Sequence, residues 1–427
     1  MGAPHHSGVA SSLGFPLSQA IHGRRSRRFA SGLSIPSGPL EHASRERPLP
    51  LDAMERSMVL AAVAGGTGWH FMIPFNPRYA PFLPNYSGSA KGRTFPSAAG
   101  FHTSEIFYTD DTGVYFLPSR DPSPRGVDDA GALGGAEDIT MKAIKLADGR
   151  LNLPPDDAHL EAHNHWCVNC PGSLLVIPVA DLAEHLLLGM CYLLQNGYGI
   201  YDDIHRAAVP GLDRFSDLVP PGRLYPLSFL EQQTLAEASV EMGTACFAGS
   251  LQLQAMGLGG WEFDGINPFS VLGASGDPEV PGLGFRFDTD PRWALPNPTG
   301  LEGRFEGACP PHCRDMREAV DRVAERKFGE GGPFHVRTPG PWKDSPSVRG
   351  AAQVHDERFK GCLALMAQHV LDAFGKFPGT VPTMWTHMYL QAHHLDLGFY
   401  DAKFGQGAYL STHAKHMEQW HPKRSQK

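Results

Sequence analysis

The stretch from Ser228 to Met256 limits what this chain can fold into more than any other part of it. Ser228 and Glu231 have the spacing of a capping box, and the segment predicts one helix to Met256, about 40 Å long at ~1.5 Å per residue. Its centre, Gly243, Thr244, Ala245, Ala248 and Gly249, is small on every side. Such a helix is buried and closely approached by its neighbours. Gly257-Leu258-Gly259-Gly260 stops it, because glycine takes the left-handed conformation that ends helices, and Trp261 to Phe263 then reads as extended. A chain of 427 residues can bury a sizeable core around such a helix, in one large domain or two medium ones.

Charge narrows the partners. A net charge of −8 with no dense basic stripe argues against nucleic acid as the main partner. No apolar run approaches the roughly 20 residues that cross a bilayer, so no membrane partner is expected. The N-terminus lacks the apolar stretch of a signal peptide. Seven cysteines, an odd number thinly spread, argue against a disulfide framework and for a reducing compartment, with the cytoplasm as the expected location. The 48 glycines and 37 prolines are scattered, which predicts many turns without widespread disorder. The two ends of the chain, residues 1–15 and 423–427, read as loose tails.

Four blocks emerge along the chain. The first, 16–120, opens on the run Gly23-Arg24-Arg25-Ser26-Arg27-Arg28-Phe29, and a helix follows from Asp52. Asp52 with Glu55 has capping-box spacing, and Gly65-Gly66 stops that helix. Ser104 to Tyr108 and Gly113 to Leu117, joined through Asp110-Asp111-Thr112-Gly113, read as a hairpin. Residues 121–225 look like an insertion: a polar loop, an apolar strand from Leu174 to Val179, and a helix from Ala180 to Asn196. The third block, 226–290, carries the long helix. The last, 296–421, is mainly helical, with helices from Arg314 to Phe328 and from Asp356 to Phe374.

Three separated segments carry chemistry. Arg24, Arg25, Ser26 and Arg28 offer planar, permanently charged donors and a hydroxyl, which suit a dianionic phosphate. Pro96-Ser97-Ala98-Ala99-Gly100-Phe101-His102 is small enough for backbone and hydroxyl groups to lie against a flat ring. After the long helix, Asp264-Gly265 presents a bare backbone amide. Taken in order, Arg-Arg-Ser-x-Arg-Phe, Pro-Ser-x-x-Gly-x-His before a strand, and a small-residue helix ending Gly-Leu-Gly resemble the nitroreductase-like flavoproteins. The form of the second segment and the following Glu105 to Phe116 look closest to the azoline dehydrogenase branch. The resemblance covers about half the chain.

That resemblance implies an α+β fold: a mainly antiparallel sheet flanked by helices, with a buried central helix and a helical C-terminal extension. It implies a flavin-binding domain over 16–295, interrupted by the insertion 121–225, and an extension over 296–421. It implies FMN as cofactor, with Arg24, Arg25, Ser26 and Arg28 on the phosphate side. Pro96, Ser97 and Gly100 fall at the flavin edge, and Gly265 beside Asp264 faces the reactive nitrogen. The implied activity is hydride transfer through the flavin to a small organic substrate, with NAD(P)H as electron donor, in a homodimer. No catalytic acid or base can be named, and His102 is only a neighbour of the expected site.

The sequence departs from that pattern in places. The late phosphate-binding basic residue has no clear match beyond Arg286 and Arg304. The His-rich end has His413 and His416 three apart on a helix capped by Ser411 or Thr412, with His421 beyond; His387, Gln391 and His394 have the spacing of one helical face. Cys167, Cys170, Cys309 and Cys313, with His163 and His165 nearby, have spacings that zinc tolerates. Packing and helix-end hydrogen bonds account for these histidines and cysteines more simply, so no metal is expected. Gly-x-Ser-x-Gly, Walker, His-Glu-x-x-His and Rossmann motifs are missing, which lowers hydrolase, nucleotidase and zincin readings. Two rivals remain: a degenerate member that binds a ligand or protein without turnover, and a metal-dependent activity centred on the C-terminal histidines.

Overall fold

The fold is that of a computed structural model, and it describes residues 7–73, 75, 83–120 and 139–422. The polar loop expected from residue 121 to 138 and the tail 423–427 lie outside the described residues. Six described helices have ten or more residues: α1 (Ala53–Ala64), α2 (Leu182–Gln195), α3 (Leu227–Met256), α4 (Met316–Phe328), α5 (Glu357–Phe374) and α6 (Ser411–Trp420). The main sheet comprises β1 (Ser104–Asp110), β2 (Gly113–Leu117), β3 (Ile144–Asp148), β4 (Leu174–Asp181), β5 (Gly259–Phe263), β6 (Met384–Trp385) and β7 (Tyr389–His393).

The long helix α3 lies against the sheet at its small residues. A Cβ on Gly249 would stand 2.4 Å from Leu390 of β7 and 2.6 Å from Val63 of α1, so only glycine permits this approach. The helix is not covered all round. Phe229, Val240 and Phe247 are exposed along one side. Its start also differs from the expected capping box. Pro226 is the N-cap residue, while the Ser228 hydroxyl and N–H are taken by Asp203. Glu231 is buried and accepts from the Gly379 and Thr380 N–H groups instead. Left-handed Gly257, at φ 78°, ends the helix.

The sheet runs β5-β7-β4-β1-β2-β3, antiparallel at every pairing, with β6 also pairing β4. Alternation divides its side chains between two cores. Phe107, Leu175, Ile177 and Trp261 face one, while Ile106, Tyr108, Leu174, Val176 and Leu390 face the other, beneath α1 and α3. A further core joins α2, α4 and α5 through Leu186, Leu187, Val320, Leu363 and Met366. The architecture is therefore mixed α+β with an antiparallel sheet. Among the described residues, no helix is long and apolar enough to cross a membrane.

The expected block boundaries cut through this sheet. Residues 121–225 supply β3 and the central strand β4, and residues 296–421 supply β6 and β7. Strand β7 sits between β4 and β5, so the C-terminal block is woven into the sheet. Nor is residue 1–15 wholly a loose tail. Ser7–Leu13 is helical, and Gly8 packs so closely on Trp420 of α6 that a Cβ would stand 2.4 Å from the ring.

One buried ionic cluster closes the far end of the sheet. Glu105 of β1, Asp181 at the end of β4 and Glu184 of α2 are almost wholly buried. Arg120 reaches Asp181 at 3.1 Å, Glu184 at 2.6 Å and Glu105 at 3.7 Å, and Arg326 of α4 also pairs with Glu184. Burial pushes the Glu105 and Asp181 carboxyls up, and Arg120 opposes that shift at both.

Candidate functional site

The arginine run is fixed to the start of β5. Arg27 and Gly260 exchange backbone hydrogen bonds of 3.2 and 3.0 Å, and alternation along this extended segment turns Arg27 inward. Arg27 is buried and donates to Gln254 Oε1 at 2.7 Å and to the Ala408 carbonyl at 2.9 Å. Of its neighbours, Arg25 is exposed and Arg24 and Arg28 are half-buried. Arg24 lies 5.9 Å from the Phe247 ring of α3, and Arg28 lies 5.2 Å from the Trp261 ring of β5. Among the described residues Arg25 donates to the carbonyls of His22 and Arg24, and Ser26 is exposed. Among the described residues, no carboxylate forms an ion pair with Arg24, Arg25 or Arg28, whereas Arg56, Arg120, Arg150, Arg292 and Arg317 all have one. Burial raises the nearby Glu262 carboxyl, and Arg24 draws it down.

Pro96 is exposed at the second segment, while Ser97 is drawn into a polar contact with α3. The Ser97 hydroxyl donates to Glu241 at 2.5 Å and accepts from the His102 N–H at 2.9 Å; Ser104 N–H donates to the same carboxylate at 2.8 Å. Gly100 adopts φ 72°, and a Cβ there would stand 2.9 Å from both His70 and Ser87. Glu241 and Gly243 are about 200° apart around the helix. Gly243 faces Glu262, near Arg24, whereas Glu241 faces Ser97 and β1. The arginine and serine segments therefore flank α3 from different sides and do not share one concave pocket within a chain.

The third segment follows β5. Asp264 is exposed, 3.7 Å from His387. Gly265 adopts φ 83°, and a Cβ would stand 2.7 Å from Asn164 Nδ2, so glycine is required. The Gly265 carbonyl accepts from the Glu161 N–H, but among the described residues nothing accepts from the Gly265 N–H.

His102 is buried, and burial with nearby Arg93 and His70 pushes its pKa down to about 3. His355, stacked on Phe359, is also buried and lowered to about 3 by burial, Lys327 and Lys360. Both rings are neutral when folded and take up protons near pH 6.5 when unfolded. The unfolded chain therefore binds more protons in acid, and stability falls as pH drops below 6.5. From these two groups the expected loss between pH 7 and 5 is about 4 kcal/mol. Denaturant titrations of the wild type and of a His102→Gln, His355→Gln double variant at the two pH values check it; a pH-dependent loss of the same size in both proteins would contradict it.

The histidines fall out differently from their sequence spacing. His387, Gln391 and His394 do not share a helical face, because Tyr389–His393 is strand β7. Gln391 accepts from Asn169 N–H at 2.7 Å on one side of the sheet, and His394 turns to the other. His413 serves the start of α6, its Nδ1 accepting from the Leu410 N–H, in place of the expected serine or threonine cap. His394, His416 and His421 converge instead on Glu55, which the sequence identified only as the capping-box partner of Asp52. Their Nε2 atoms stand 3.1, 2.9 and 3.0 Å from one oxygen, Glu55 Oε1. Burial pushes the Glu55 carboxyl up, but the three imidazoles hold it well below the usual carboxylate range.

The cysteines do not assemble. Cys167 and Cys170 belong to one core and Cys309 and Cys313 to another, all buried as free thiols. Burial lifts Cys167 to about 12 and Cys313 to about 11. His163 pairs with Glu161 and His165 with Asp157 at the surface, each at 3.4 Å. Arg286, one of the two arginines considered for the late phosphate contact, is held by Asp288 at 3.0 Å.

No family model matches the chain, and no curated protein matches it. Among solved structures it is similar to a crystal structure of a "putative nitroreductase" from Ralstonia eutropha JMP134, at 13% identity. The match covers 60% of this chain and 72% of that one at a TM-score of 0.29, too loose a likeness to carry an argument about fold or chemistry.

Proposed function

We propose that the chain is an FMN-dependent oxidoreductase acting on a small organic substrate. The observation that carries this reading is that half-buried Arg24 and Arg28 and exposed Arg25 lack a carboxylate ion pair among the described residues, in the run that also holds exposed Ser26. Unneutralised arginines in a row suit a dianionic phosphate, to which each can donate charge-assisted hydrogen bonds. Gly265, whose N–H has no acceptor among the described residues, lies five residues beyond Gly260. In this reading Arg24, Arg25, Ser26 and Arg28 hold the phosphate, and the Gly265 N–H donates toward the ring. Flavin supplies hydride and electron transfer when bound.

The reading also includes NAD(P)H as donor and a second copy of the chain. Ser97 stands on the other side of α3 from Arg24, so the two segments would meet across an interface between copies. Exposed Phe229, Val240 and Phe247 give α3 an apolar face for it.

Purified protein should absorb near ~450 nm and release FMN on denaturation. Arg24→Ala combined with Arg28→Ala should weaken FMN binding at least about 100-fold, from two charge-assisted contacts of ~1.5–3 kcal/mol each. Colourless protein that takes up no added FMN would refute the proposal, leaving a non-catalytic binding protein as the better reading. Unchanged FMN affinity in the double variant would refute the phosphate assignment alone.

A further inference from the structure

We infer that Glu55, His394, His416 and His421 together bind one divalent transition-metal ion, for which zinc is the best chemical fit. The four ligand atoms lie within 4.8 Å of one another. Glu55, His394 and His416 are almost wholly buried, and the His421 side chain is 12% exposed.

Hydrogen bonding behind the rings decides what faces Glu55. His394 Nδ1 lies 2.8 Å from the Leu49 carbonyl, and His416 Nδ1 lies 2.8 Å from the Met256 carbonyl. A carbonyl only accepts, so each Nδ1 carries its proton there, and each Nε2 of a neutral ring presents a lone pair. Lone pairs aimed at a buried carboxylate oxygen repel it. Protonating both rings would leave two cations against one anion in a buried site, with His421 Nε2 also 3.0 Å from Oε1. His416 Nε2, buried and 2.9 Å from Glu55 Oε1, meets that oxygen outside hydrogen-bond geometry. A cation among the four atoms removes both conflicts, with the two carbonyls orienting the rings behind it.

The donor set names the class of ion. Three imidazole nitrogens and one carboxylate oxygen suit zinc, and among the described residues no thiol joins the group. Nε2–Oε1 separations of 2.9–3.1 Å approach the edge of ~3.3 Å that bonds of ~2.0 Å give a tetrahedron. The other carboxylate oxygen, Oε2, accepts from the Asp52 N–H at 2.7 Å, which leaves Oε1 as the ligand atom. Four protein ligands in a buried site make a closed, structural centre without a position for substrate. It ties α1, the end of β7 and α6 together at the C-terminal end of α3. The same end of α3 holds Gln254, whose carbonyl accepts from Thr412 and whose side chain accepts from Arg27.

Full-length protein without a polyhistidine tag, dialysed against metal-free buffer, should carry one zinc per chain by plasma mass spectrometry, or bind one when zinc chloride is added after chelation. His421→Ala removes the most exposed ligand and should lower the bound metal about tenfold or more, while His163→Ala, at the surface, should leave it unchanged. If the His421 variant does not fold, cobalt titration of stripped wild-type protein decides. A visible ligand-field band saturating at one equivalent supports the site, and its absence overturns it. Folded wild-type protein that binds neither zinc nor cobalt overturns the inference. So does a folded His421→Ala variant that keeps its full equivalent.

Discussion

Glu55→Ala is expected to lower the unfolding free energy by about 4–6 kcal/mol. Two losses combine. Glu55 completes the capping box at α1, its Oε2 accepting from the Asp52 N–H at 2.7 Å while its own N–H donates to Asp52 at 2.8 Å. Alanine keeps the backbone N–H that Asp52 caps but removes the acceptor of the Asp52 N–H, a loss of ~1 kcal/mol. The larger loss is the carboxylate that neutralises the positive charge, proton or bound ion, held among three buried imidazoles, because removing one member of a buried charged network costs ~3–5 kcal/mol. Glu55→Gln separates the two, since glutamine keeps the box but not the charge. Denaturant titration of both variants gives the comparison, and an alanine effect below about 1 kcal/mol would contradict it. Zinc added to the wild-type protein should widen the gap, because an ion that binds only the folded chain stabilises it by mass action.

Arg120→Met should cost about 3–5 kcal/mol, for a related reason at the other end of the sheet. Glu105, Asp181 and Glu184 are buried, and without Arg120 only the Arg326 ion pair with Glu184 remains among those described here. Methionine preserves much of the volume over Phe305, which the guanidinium covers at 4.8 Å, so the loss is mainly electrostatic. Adding Glu184→Gln should recover part of it, as expected for coupled neighbours. The deficit should also shrink from pH 7 to 5. Carboxyls whose pKa is raised on folding bind more protons in the folded chain than in the unfolded one, so stability rises as pH falls through that range. A deficit that does not depend on pH would contradict this account.

Local signals were legible wherever the structure depends on neighbours in sequence. The hairpin is an example: Asp110 pairs with Gly113 across a two-residue turn, as alternation and the Asp-Asp-Thr-Gly run imply. Asp52 caps α1, and the helices starting after Asp315 and Asp356 are capped by those side chains. Ser228 misled because its hydroxyl found a better acceptor in Asp203, a choice made by tertiary contact. His387 to His394 misled because a run this short fits a helical and an extended period equally well. The cluster around Glu55 had no spacing to betray it. Its residues lie at 55, 394, 416 and 421, and only folding brings them together. The arginine run was visible as charge, but that Arg27 alone turns inward depends on its bridge to Gly260.

The position of β7 has a consequence for how the chain is made. Synthesis proceeds from the N-terminus, yet β4 and β5 are separated by a strand that ends at His393. A nascent chain that has emerged as far as Phe263 holds two strands that cannot pair, each with an open edge awaiting residues 389–393. Closure of the sheet therefore waits until residues 389–393 have emerged, and until then the intermediate presents unpaired edges to chaperones and to other copies of itself. A transcript truncated before β7 would yield a sheet with its middle missing, and so an aggregation-prone fragment in place of a smaller folded protein.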